Sequence, residues 1–198
     1  MARHRRPALR TAAAALALAV LAASCASGPR VYVNPAADMA FYKKVAVLPF
    51  ANLSADGLAA ARVTRAFVTE LIMTNAFQIV QPEDFASTLQ RLGVSPAPDG
   101  SYDLAKLQDA AKQAGVTGIL RGAVSEYQVL RTEVGDVPVV TFDAEMIDAA
   151  TGDVVWRCSI SKRGRGRLPI LGSSSRSLGR LTQEACEDAV GRLRKVAL

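Results

Sequence analysis

Between Val137 and Ser161 the sequence reads VPVVTFDAEMID, AATG, DVVWRCSIS, and its apolar residues fall at every second position. That period belongs to a β-strand with one buried face. Val140, Phe142, Ala144 and Met146 share one side of the first run, and Thr141, Asp143 and Glu145 the other. In the second run Val154, Trp156, Cys158 and Ile160 are expected to point inward. AATG makes a tight connection in which Gly152 takes positive φ, and Asp148 and Asp153 flank it in turn-forming positions. The chain must therefore build a hairpin with a one-sided core and supply something to cover it.

The cover is helical. After the buried strand KKVAVLPFANLS, where Ser54 or Asp56 can cap a helix, Ala60, Val63, Phe67, Val68 and Leu71 fall on one stripe. A short strand, FQIV, precedes PEDFASTLQRLG, which has Pro82 in its first turn, Phe85, Leu89 and Leu92 on one face, and Gly93 as its stop. DLAKLQDAAKQAG is a third helix, capped by Asp103 and ended by Gly115. TGILRGAVSEYQVLRTEV then reads as a strand leading into the hairpin, and a last helix aligns Leu178, Leu181, Ala185, Ala189 and Leu193. Alternating helices and strands followed by a meander predict an α/β fold, a mixed β-sheet flanked by helices, in a single domain over residues 43–198.

The first 24 residues have a different purpose. Arg3, Arg5, Arg6 and Arg10 precede the apolar run TAAAALALAVLAA, the arrangement of a secretory signal peptide. About 13 residues are too few for a membrane-spanning helix, which needs about 20. LAASC then resembles a bacterial lipobox, with Ala22 where a large aliphatic is usual. Acylation of the Cys25 sulfur would tie the mature chain to a membrane. Ala26 in place of an aspartate after that cysteine resembles lipoproteins of the outer membrane, on its periplasmic face. Residues 25–42 then read as the lipidated cysteine and a short tether, because 26–42 hold two prolines and no helical period. Seventeen residues reach about 60 Å at most.

Removing the leader changes the charge. The full chain has 24 basic and 18 acidic residues, and without the leader's four arginines the count is 20 against 18. Six of the 20 lie in residues 162–180, with no acid among them. The basicity is local, and export argues against nucleic acid as its target. His4, the one histidine, leaves with the leader. The mature chain thus has no imidazole for acid–base chemistry, for a nucleophile's partner or for a metal. With no phosphate-cradling glycine loop and no CxxC either, the reading is a protein that is not an enzyme, with no catalytic residue, metal or cofactor. Cys158 and Cys186 can pair in an oxidising compartment, or each can sit in the core as a small apolar side chain.

KKVAVLPFANLS, AGVTGILRGAVSEY and AEMIDAATGDVVWRCSISK, in this order behind a lipobox, resemble the curli-secretion (CsgG-like) lipoprotein family. They also resemble its LpoB-like relatives, the lipoprotein activators of penicillin-binding proteins. The resemblance covers about residues 43–190. It implies an anticodon-binding-domain-like periplasmic fold, no catalysis, an unidentified envelope protein partner and a homo-oligomeric habit. It implies an accessory or assembly factor of an envelope or secretion machine or, alternatively, a periplasmic activator of a peptidoglycan synthase.

Pore-forming members insert two membrane hairpins into the meander. Here Gln128–Pro138 and Arg163–Arg176 replace them, eleven and fourteen residues where a membrane hairpin needs about 20. The second segment reads either as a solvated connection or as a contact element. In the latter, Arg163, Arg165, Arg167 and Arg176 meet phosphates or acids, and Leu168, Ile170 and Leu171 form an apolar tip.

Overall fold

The computed structural model describes residues 29–97, 100–133, 135–164 and 177–198. Its strands are β1 (Arg30–Val33), β2 (Lys44–Val47), β3 (Ala51–Asn52), β4 (Gln78–Val80), β5 (Gly118–Thr132), β6 (Gly135–Asp148) and β7 (Val154–Arg163). Its helices are α1 (Ala59–Thr74), α2 (Pro82–Arg91), α3 (Leu104–Ala114) and α4 (Leu178–Ala197). The strands form one sheet in the order β1-β7-β6-β5-β2-β4, with β3 also beside β5. Strands β2, β4 and β5 pair in parallel, because helices carry the chain from each to the next. From β5 through β6 and β7 to β1 every pairing is antiparallel. The expected mixed sheet flanked by helices is the fold observed.

Helices α1 and α4 cover one face. Val63, Phe67 and Leu71 of α1 and Leu181, Ala185, Ala189 and Leu193 of α4 pack on Val140, Phe142, Ala144, Met146, Trp156, Cys158 and Ile160. Phe50, Phe67 and Phe142 form an aromatic cluster at its centre, with centroids 5.3–6.4 Å apart. On the other face α2 and α3 bring Phe85, Leu89, Leu107, Ala110 and Ala111 onto Ala46, Leu48, Ile119 and Ile147. They cover only that end of the sheet. Beyond it the outward residues are polar, and Arg121, Glu145 and Arg157 make a row across β5, β6 and β7.

Two of the expected caps form as read. The Asp103 side chain accepts from Lys106 N at 3.1 Å, and Gly115 closes α3 at φ 63°. For α1, Leu58 occupies the cap position without a side-chain bond. Asp56 instead accepts from Leu58 N at 2.8 Å and pairs with Arg62 at 2.9 Å.

Two expectations need correction. Residues 30–42 are not a tether. Val31 and Val33 lie opposite Cys158 and Trp156 on an edge that would otherwise be unpaired, and Met39 and Tyr42 are buried in the core. The domain therefore begins before Lys43. Val154 also faces away from Trp156. The pairing shifts between Met146 and Ile147, a bulge that leaves Val155 unpaired and turns Val154 toward α2 and α3.

Tyr42 ties this leading segment to the hairpin turn, its hydroxyl donating to Asp148 Oδ2 at 2.9 Å. Burial and that carboxylate push the Tyr42 phenol up to about 12. Burial works against the Asp148 charge, but donation from Thr151 N, Tyr42 Oη and Ala150 N outweighs it and holds the carboxyl below its ordinary value. Its stabilisation is thus complete above the unfolded value near 3.9 and drains as pH falls through the lower folded value. Asp148→Asn should lower stability by about 1–2 kcal/mol at pH 7 and by less in strong acid. Thermal melts across that range check it, and equal melts at pH 7 contradict it.

Candidate functional site at one end of the sheet

The register of β1 on β7 fixes where the chain comes from. Arg30 lies opposite Ser159 and Val33 opposite Trp156, so the strand traced backwards runs toward Arg163. At that end β7 stops, with Arg163 opposite Val139. Strands β5 and β6 continue past it as a two-stranded hairpin, paired from Val129↔Pro138 to Thr132↔Gly135. Gly164 N donates to Pro138 O at 2.8 Å, extending the β6–β7 ladder by one bond past Arg163. The chain is described again from Ser177, whose side chain caps α4 by accepting from Arg180 N. One end of the domain therefore collects the leading strand, both ends of the basic segment and the projecting hairpin.

This end is exposed and charged. Val129 is 47 % exposed, and Gln128, Arg131, Glu133, Asp136 and Arg163 are open to solvent. The projection is short: the strands run four paired residues each beyond β7, against the 9–11 of a membrane strand. Of the residues expected to make contact, Arg163 is the one placed, exposed at the end of β7. Arg165, Arg167, Leu168, Ile170, Leu171 and Arg176 lie outside the described residues, as does Cys25.

Cys158 and Cys186 are not paired: both are free, buried thiols. Cys158 projects from β7 into the core, and Cys186 on α4 donates weakly to Val63 O at 3.8 Å. Burial pushes the Cys158 thiol up to about 11 and raises that of Cys186 as well. Thiols so protonated are poor nucleophiles and serve the core.

Two features were passed over in sequence. One is the outward row in which Glu145 accepts from Arg121 Nε at 2.7 Å and lies 3.6 Å from Arg157 Nη1. Period-two alternation put Glu145 on that face, but nothing local paired it. The other is Glu70, an acid inside an apolar stripe. Among the described residues no cluster of His, Cys, Asp or Glu suits a metal ion, and no helix is long and apolar enough to cross a membrane.

The architecture defines a class: a mixed sheet with a helix pair on each face, one pair covering only half. Solved structures of that class align with this chain. PelC from Paraburkholderia phytofirmans, a dodecamer, superposes with TM-score 0.60 at 21% identity, over 84% of this chain and 96% of its own. Lipoprotein GNA1162 from Neisseria meningitidis does so with TM-score 0.53 at 17% identity, over 76% and 99%. The C-terminal domain of LpoB from Salmonella enterica aligns over 61% and 82%, with TM-score 0.46 at 19% identity. What this chain shares with PelC and GNA1162 at such identities is the fold. None of the three is a curli-secretion protein. No family model and no curated protein matches the sequence.

Proposed function

We propose that this chain is a non-catalytic lipoprotein of the outer membrane, anchored through Cys25 and facing the periplasm. Its α/β domain serves as an accessory or assembly factor of an envelope or secretion machine. The observation that carries this reading is the position of β1: only four residues lie between Cys25 and Arg30, a reach of about 17 Å at most. A domain so tied stands on its membrane by the end that holds Arg163, the basic segment and the β5–β6 hairpin. The lipoprotein nature of GNA1162, which has the same fold, supports the anchor, and the dodecamer formed by PelC supports a homo-oligomeric state. The alternative, activation of a peptidoglycan synthase, requires a long reach toward the wall, and four residues do not supply it.

In this reading Arg163, Arg165, Arg167 and Arg176 meet anionic headgroups, and Leu168, Ile170 and Leu171 enter the interface. Each basic residue near such a surface contributes about 1 kcal/mol. The full chain carrying Cys25→Ser, which has no lipid of its own, should co-sediment with vesicles containing anionic lipid. Adding Arg163→Ser, Arg165→Ser and Arg167→Ser should weaken that binding by about 100-fold. Equal pelleting of the two forms removes membrane contact from the proposal.

A further inference from the structure

The C-terminal halves of α1 and α4 leave between them a cleft of about 330 Å³. Glu70 of α1 lines it and is only 8 % exposed. Among the described residues Glu70 has neither a hydrogen-bond donor nor a cation within bonding distance. Across the cleft on α4, Arg192 Nε is buried with no acceptor. Two opposite charges thus border one cavity and do not meet each other. A buried donor without an acceptor, here Arg192 Nε, calls for a cause, and the Glu70 carboxylate reaches the cleft with no cation on it. Of the other charges that line the cleft, Asp188 is held by Lys162 at 2.7 Å, and Glu187 and Lys195 stand beside it on α4.

The arrangement has a definite complement. Met73 and Val190 supply apolar walls, Gly191 leaves backbone rather than side chain beside Arg192, and Arg194 adds a second cation at the opening. We propose that this cleft binds a small zwitterion, an amino acid or a short peptide. Glu70 receives the ammonium group, and Arg192, with Arg194 at the opening, receives the carboxylate. The volume accommodates a dipeptide, and a larger chain would leave through the open side. The site faces away from the sheet's open polar face and does not depend on the anchor at Cys25.

The test uses the full-length protein labelled with nitrogen-15 and the dipeptide alanyl-alanine as probe. Millimolar dipeptide should shift the amide signals of Glu70, Thr74, Gly191 and Arg192. N-acetylation or C-terminal amidation of the probe should each weaken binding at least tenfold. Glu70→Gln should weaken the free dipeptide to the level of its acetylated form, and Arg192→Gln should do the same for the amidated form. Unshifted cleft signals, or equal binding of free and blocked probes to the unaltered protein, overturn the site without reliance on any variant. Equal binding by a folded Glu70→Gln protein also overturns it.

Discussion

A mature chain shortened to begin at Lys43 should melt about 8–16 °C below one that begins at Cys25. The shortened form loses the pairing of β1 with β7 and the burial of Met39 and Tyr42, the latter only 5 % exposed. Burying two such side chains contributes about 4 kcal/mol together, and a domain of this size shifts by about 2–4 °C for each kcal/mol. The Tyr42–Asp148 bond and its effect on the hairpin turn disappear as well. If residues 26–42 were a tether, the two forms would melt together. Calorimetry separates the outcomes, and the size of the difference also tests how far the leading strand belongs to the cooperative unit.

Cys25→Ser should move the protein almost entirely from the membrane fraction to the soluble periplasm. An acyl chain contributes about 0.8 kcal/mol for each buried methylene, so two chains hold a protein far more firmly than a basic patch does. The basic segment that remains supplies about 1 kcal/mol per cation, and salt screens it. Residual binding by the variant should therefore fall as salt is raised, while binding of the unaltered protein should not. Fractionation at low and high salt reads both effects.

These expectations rest on parts of the fold that differ in how visible they are in sequence. The meander of β5, β6 and β7 was legible because alternation is local: each strand announces its buried face through its own neighbours. The cap of α3 at Asp103 was legible for the same reason. β1 was not. RVYV is four residues between Pro29 and Pro35, and its reason for being a strand is the free edge of β7, more than a hundred residues away. The inward side of Val154 was misread because a bulge depends on the partner strand, and no residue in the DVV run signals one. Asp56 was rightly chosen as a polar anchor for α1 but acts one turn early, bonding Leu58 N and Arg62.

The site shows the same division. The charge of the basic segment is plain in sequence, but that the residues flanking it share an end of the domain with the start of β1 follows only from the direction of β1 on β7. One cysteine on a strand and one on the last helix carry no information about pairing; the packing of α4 on the sheet decides that each is separately buried. Glu70 lies three residues after Phe67 and just before Leu71, where a helical wheel makes it an ordinary boundary acid. Its lack of a partner is a property of α4 opposite.

Mass measurement of the intact protein, extracted from the membranes of its own cells, bears most directly on the lipid anchor. The account predicts a chain that begins at Cys25 and is heavier than its residues by the mass of a diacylglyceryl group with or without an amide-linked acyl chain. A product with an unmodified Cys25, or one that retains the first 24 residues and is found in the cytosol, contradicts it.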